Sequence, residues 1–234
     1  MIILYIFLSL VLLVAVILVL ARYHTGFKKI IGKYFYNWLY GLKWGLTDTN
    51  NYGYAPTTPN IEEVAGKEKH QAQLYWELAA TVNAAEWKEL EVAEVGCGRG
   101  GGLRYLTQLL APKAVTGLDF SHNAIKFCQK RNDEIGQYVK YVQGDAHDLP
   151  FEANSFDALL NVESSHIYLD QSQFFSEVYR VLKPGGRFLI ADYRAITEGM
   201  DQFYSEMEAT GLSRVLEIDI SQNVLAACKA DTER

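Results

Sequence analysis

EVGCGRGGG, residues 94–102, is the stretch that decides the fold of this chain. The residues before it, Glu91–Val95, read as a short strand, and residues 103–110 after it read as a helix. The glycines between them let the backbone approach a ligand closely and take conformations barred to other residues. The helix behind the loop presents unpaired N–H groups to an anionic group.

Outward from the loop the pattern repeats. Residues 62–82 read as a helix with Leu74, Tyr75, Leu78, Ala79 and Val82 on one face. Strands are expected at 114–118, 138–143, 156–162 and 187–191, and helices at 123–135 and 173–182. Lys183-Pro184-Gly185-Gly186 reads as a turn, because proline ends the helix and paired glycines permit positive φ. Strands alternating with helices predict an α/β fold with a doubly wound, mostly parallel sheet. Ligands of such sheets sit at the carboxyl ends of the strands, near the switch point. Those ends carry Glu94 and the glycines, then Asp119, then Gly144-Asp145-Ala146, then Asn161-Val162-Glu163.

Gly96, Gly98 and Gly101 also satisfy GxGxxG, and Asp119 lies where a dinucleotide fold places its ribose-binding acid. A nicotinamide oxidoreductase is therefore a competing class. Against it, Glu94 can face the ammonium of an amino-acid ligand, whereas a pyrophosphate would be repelled there. Asp145 supplies a second polar strand end suited to an adenine amine, and the loop holds more glycine than a pyrophosphate needs.

At this point the chain resembles the class I S-adenosylmethionine (SAM) dependent methyltransferases, over roughly residues 62–194. The matching motifs are EVGCGRGGG, TGLDFS, VQGDAHDLPF, SFDALLNVESSHIY and EVYRVLKPGGRFLIADYR. The resemblance implies a Rossmann-like fold with SAM as cofactor. It places Gly96, Cys97 and Gly98 around the methionine part, with Glu94 ordering the loop or the ammonium. Asp119 would bind the ribose hydroxyls, Phe120 would lie beside the adenine, and Asp145 and Ala146 would hold its edge. Asn161 would form the floor. Within the superfamily, NVESSHIY is most similar to lipid-modifying members of the phthiotriol/phenolphthiotriol dimycocerosate methyltransferase type, in which Tyr75 also has a counterpart. Sterol and tocopherol C-methyltransferases are more distant. A lipophilic acceptor follows, with O-methylation of an alcohol or phenol expected. C-methylation and a catalytically impaired SAM-binding isoform remain as alternatives. An oxygen acceptor must lose its proton, and His166, with Glu163 to orient it or touch substrate, is the candidate base. Cys97 reads as a small residue that fits the loop, and His70, His122 and His147 as solvated or helix-capping. The chain departs from the pattern at its end. After an expected sixth strand at 213–219 and a helix from 221, no antiparallel last strand follows. A truncated end with an open sheet edge is the expectation.

Composition bounds the partners. The net charge of −6 lacks the basic face that nucleic acid requires. Cys97, Cys128 and Cys228 show neither CxxC pairing nor metal-ligand spacing, so free thiols and no metal are expected. Residues 2–21 form an apolar run broken only by Ser9. At 1.5 Å per residue such a run spans about 30 Å, the hydrocarbon thickness of a bilayer. Arg22, Lys28, Lys29, Lys33 and Lys43 follow it, which predicts a single-pass anchor with the remainder cytoplasmic. Phe27, Ile30, Ile31, Tyr34, Phe35, Trp38, Leu39 and Leu42 trace one helical stripe, suited either to a membrane interface or to packing on the domain. The expected organisation is an anchor at 1–25, an amphipathic helix and linker at 26–60, and the methyltransferase domain at 61–234. The linker (45–60) can also serve as a cover. Oligomeric state is not legible.

Overall fold

Where the spacing predicts one helix over 62–82, the chain makes two. In the computed structural model, which describes residues 34, 37–38, 40–41, 47–136, 138–194 and 199–233, helix α1 (Pro59–Ala65) begins with proline in its first turn and stops at Gly66. Gly66 takes φ +54°, a left-handed value that ends a helix. After a 3-10 turn, α2 (Lys69–Ala80) buries Leu74, Tyr75 and Ala79.

Five strands follow: β1 (Glu91–Val95), β2 (Ala114–Asp119), β3 (Lys140–Gln143), β4 (Phe156–Val162) and β5 (Leu182–Ala191). They lie in the order β3-β2-β1-β4-β5, every pair parallel. The chain winds outward from β1 to β3, then returns to β4 on the other side of β1. The switch point therefore lies between β1 and β4, and the glycine loop sits beside the end of β4. Helices α3 (Gly101–Leu110), α4 (His122–Ile135) and α5 (Gln171–Val181) supply the crossovers. The period of two along the strands divides the core. Val92, Ala158 and Leu160 face α2 and α3, packing on Leu74, Leu106 and Leu110. Ala93, Val95 and Leu159 face the other way, onto Phe174, Phe175 and Val178 of α5.

Two expectations need correction. Strand β5 reaches back to Leu182, so Lys183–Gly186 is a bulge within it and not a separate turn. The register shifts between Phe156 and Ala158, and Gly185 absorbs the distortion at φ +77°. Residues 213–219 form no strand. Val215 there is 93% exposed. The stretch is held from its side chains instead: Arg214 lies over the Tyr204 ring of α6 (Met200–Glu208), and Glu217 accepts from Arg214 and Tyr204. Helix α7 (Ser221–Thr232) forms as expected from position 221. Within the described sheet β5 is an edge.

The apolar run at 2–21 lies outside the described residues. Among the described residues no helix is long and apolar enough to cross a membrane. Tyr34, Asn37, Trp38, Tyr40 and Gly41 are helical. The off-stripe residue Asn37 docks on the domain: its Oδ1 accepts from Ser121 Oγ (2.8 Å) and its carbonyl from Asn123 Nδ2 (2.8 Å). Tyr34 and Trp38, on the stripe, are 72% and 58% exposed. Ser121 also caps α4, its Oγ accepting from Ala124 N at 3.2 Å. Ser121→Ala should therefore cost about 1 kcal/mol. The urea midpoint should fall at constant slope; an unmoved midpoint would remove the cap from the account.

Candidate active site

A cleft of about 1050 Å³, partly open to solvent, lies over the carboxyl ends of β1, β2 and β4. Tyr75, Gly96, Cys97, Gly98, Asp119, Phe120, Asp145, Ala146, Glu163 and His166 line it. Glu94 and Asn161 stand behind its wall, both fully buried.

The loop is built by close packing. Gly96 takes φ +80°, and a Cβ there would run into Ser164 and Tyr168. A Cβ on Gly102 would overlap the ring of Tyr75, so glycine is what allows α2 to lie on the start of α3. That contact aims Tyr75 Oη at Glu94 Oε1, 2.6 Å away. The other oxygen, Glu94 Oε2, has no hydrogen-bond partner among the described residues. Burial pushes the Glu94 carboxyl up to about 8, against the Tyr75 hydrogen bond and with repulsion from Asp119 adding to it. An unsatisfied buried carboxylate oxygen beside the cleft suits the ammonium of an amino-acid ligand. Cys97 is buried, and burial pushes its thiol well up, so it is no nucleophile.

The loop amides are directed inward. Gly96 N and Cys97 N donate to Leu118 O (2.8 and 3.0 Å), and Gly98 N to Asp119 Oδ2 (2.9 Å). Asp119 Oδ1 accepts from Ser121 N at 2.7 Å. Burial raises this carboxyl while those two amides hold it down. At the mouth of α3, Gly101 N donates to Asp48 O (2.9 Å), and the Asp48 carboxylate pairs with Arg104 (2.6 Å) and Arg131 (3.2 Å). The place where a pyrophosphate would sit on a helix N-terminus is filled by the chain's own acidic residue. This disfavours the dinucleotide reading.

At the end of β3, Asp145 Oδ1 holds His147 through N (3.0 Å) and Nδ1 (2.7 Å). His147 lines the cleft, and its Nε2 accepts from the backbone N of Asp170, the N-cap of α5, at 3.2 Å. His70 is likewise a buried partner, its Nδ1 2.7 Å from Asp231 Oδ1 on α7. Asn161 Nδ2 donates to Val95 O (2.8 Å) and to Tyr168 Oη (3.1 Å), and its Oδ1 accepts from Ser165 N (3.2 Å). Its side chain thus fastens β4 to β1 and to the turn that carries His166.

His166 lies on that 3-10 turn, 165–167. Its Nδ1 is 2.8 Å from Asp192 Oδ1, and its backbone N donates to Asp192 Oδ2 at 3.0 Å. Burial works against Asp192 ionising, but the His166 and Ser165 hydrogen bonds and the Arg194 charge hold it below the usual carboxylate range. An ionised carboxylate only accepts, so Nδ1 carries a proton toward Asp192 and Nε2 is the ring nitrogen left on the other side. Nε2 meets Tyr193 Oη at 3.1 Å, and the two rings stack with centroids 4.3 Å apart. Glu163, with a non-glycine φ of +45°, turns its carboxylate over the cleft and accepts from Tyr52 N at 3.1 and 3.2 Å. Burial pushes it up to about 7, the Tyr52 amide opposing and Asp192 adding.

The residues that sequence reasoning passed over are Asp192 and Tyr193, whereas the 47–58 loop falls within the linker that can serve as a cover. Asp192 directly follows β5, so the rule that located Asp119 also reaches it. The loop is a strap: Asp48 N donates to Glu68 Oε1 (2.6 Å), Tyr52 N to Glu163, Ala55 N to Asn223 O of α7 (3.2 Å) and Thr58 N to Gln73 Oε1 (2.9 Å). Among the described residues no cluster suits a metal ion.

Residues 93–190 match a family described as a methyltransferase domain. The chain is 38% identical over 215 residues to the Mycobacterium ulcerans protein titled "Probable phthiotriol/phenolphthiotriol dimycocerosates methyltransferase 2", covering 90% of this chain and 81% of that one. The chain belongs to the class I SAM-dependent methyltransferases. The enzyme is also 45% identical over 147 residues to a fatty-acid O-methyltransferase of Mycolicibacterium smegmatis, covering 62% of this chain and 52% of that one. It thus spans about half the length of that relative. The fold is similar to that of SpnF, a 4+2 cyclase, with a TM-score of 0.67 at 19% identity, covering 79% of this chain and 73% of that one. SAM is the cofactor, and the site fits it: the orphaned Glu94 oxygen, the glycine cradle and the acids at successive strand ends match its ammonium, backbone and nucleoside.

Proposed function

We propose that the enzyme methylates a hydroxyl oxygen, alcohol or phenol, of a lipophilic acceptor. The observation that carries this is His166, which lines the cleft and is held through Nδ1 by Asp192 while its Nε2 meets only the Tyr193 hydroxyl. SAM supplies a methyl group on a positive sulfur, so the leaving group is already activated. Glu94 holds the ammonium, the glycine loop the methionine backbone, Asp119 the ribose, and Asp145 with Ala146 the adenine edge beside Phe120. His166 Nε2 would take the acceptor's hydroxyl proton, and SAM held by these residues would supply the methyl group to that oxygen. Tyr193 Oη now occupies the position from which an acceptor hydroxyl would reach Nε2. The apolar residues Phe120, Ile167 and Leu169 line the cleft and suit an alkyl or aryl acceptor.

The relatives' names support a lipid acceptor. The apolar run at 2–21 and the lysines after it support a membrane-anchored enzyme with its catalytic domain in the cytoplasm. The test is methyl-labelled SAM with a long-chain alcohol in neutral detergent micelles. Label should appear in the organic phase as a methyl ether. Label on carbon would overturn O-methylation.

A further inference from the structure

We propose that Glu163 is a charge filter that keeps anionic acceptors, free fatty acids included, out of the acceptor end of the cleft. This rests on the O-methylation reading above and names what that site refuses.

The argument begins with the cations. Among the described residues lining the cleft there are three carboxylates, Asp119, Asp145 and Glu163, and neither lysine nor arginine. The arginines close by are committed elsewhere. Arg194 sits against Asp192 (3.2 Å), donates to Ser165 Oγ (2.7 Å) and stacks on Phe203 with 4.2 Å to the centroid. Arg104 pairs with Asp48. Arg99 donates to Thr47 O at 3.2 Å and lies over the Tyr40 and Phe127 rings. Among the described residues, a carboxylate acceptor delivered to His166 would thus meet no uncommitted counter-ion.

At pH 8, above the value of about 7 to which burial raises Glu163, it would also meet a negative charge. Glu163 is three residues from the base, on the same turn out of β4. Its two oxygens are anchored on the Tyr52 amide, and its left-handed φ holds the carboxylate over the cleft. Protonating a carboxyl whose value is about 7 costs about tenfold at pH 8, and that sets the scale on which Glu163 disfavours an anionic acceptor. A neutral hydroxyl escapes this term and finds the base it needs. A carboxylate carries no proton at neutral pH and gains nothing from His166. Selectivity by repulsion is the economical device here, because an apolar cleft alone holds both alkyl chains equally well.

The experiment compares hexadecan-1-ol with hexadecanoate, equal chains with different heads, in neutral detergent micelles at pH 8. The wild-type kcat/KM ratio, carboxylate over alcohol, should be about one in ten or lower. Glu163→Gln should raise that ratio several-fold, toward about tenfold, and Glu163→Asp, which keeps the charge, should leave it near wild type. A wild-type ratio near one, or the same ratio in wild type and Glu163→Gln, overturns the filter. If neither compound is methylated, the O-methylation reading fails, and binding decides the filter separately. By equilibrium dialysis with the protein saturated in S-adenosylhomocysteine, the filter requires the alcohol to be retained and the carboxylate excluded. Equal retention overturns it.

Discussion

His166→Ala lowers turnover by about a hundredfold to ten-thousandfold, the usual contribution of a positioned base, while SAM affinity stays at its wild-type value. The split follows from the geometry. His166 contacts Asp192 and Tyr193, and nothing it holds reaches the glycine loop. The loop is fixed from β2 through Leu118 and Asp119. Alanine therefore removes the proton acceptor without moving the groups assigned to the cofactor. Calorimetry gives the affinity, and release of the demethylated product gives the rate. Unchanged turnover would remove His166 from the chemistry. A joint loss of affinity and rate would make it a structural residue of the turn.

Glu94→Gln weakens SAM binding by about tenfold to a hundredfold, the scale of a lost charge-assisted contact. Glutamine keeps an oxygen for the Tyr75 hydroxyl, so the packing of α2 on Gly102 survives and only the charge disappears. The wild-type protein carries a second signature of the same group. With its carboxyl raised to about 8 by burial, Glu94 is mostly protonated at neutral pH in the empty protein. A cationic ammonium binds the ionised form, so SAM binding expels a proton. Wild-type affinity should therefore rise by up to tenfold per pH unit toward about 8 and fall again as the ligand's own ammonium, near 8, deprotonates. Calorimetry in buffers of different ionisation enthalpy counts the proton. A wild-type affinity flat between pH 6 and 8, or a Gln variant with the same pH slope, would detach Glu94 from the ammonium.

The parts of this site that were legible are those whose signal is local. The loop at 94–102, Asp119 and Asp145 announce themselves because an acid or glycine ends a short apolar strand. The parallel sheet then brings those ends together wherever the register falls. The partner of His166 was less legible. Asp192 lies 26 residues further along the chain and meets His166 only because β5 pairs with β4. The Glu163–Tyr52 contact spans 111 residues and uses a backbone amide, which no side-chain pattern records. Residues 213–219 misled for the opposite reason. Their apolar spacing fits a strand, but a strand needs a partner edge, and Arg214 and Tyr204 fasten the stretch locally instead. The break at Gly66 was hidden because two short helices in sequence keep nearly the same apolar spacing as one.

The strap over the site has a thermodynamic consequence. Its fastenings to Glu68, Gln73 and α7 are made by the domain's own residues, none of them assigned to the cofactor. Fixing one residue's backbone costs about 1–2 kcal/mol of conformational entropy. A cover that ordered itself around SAM would subtract that amount, residue by residue, from the affinity. Here the ordering belongs to the folding of the domain, and the contacts SAM makes with the loop and strand ends appear almost undiminished in its dissociation constant. Affinity and domain stability are thereby linked. A change in α7 that frees Ala55 from Asn223 should weaken the cofactor while touching none of its atoms.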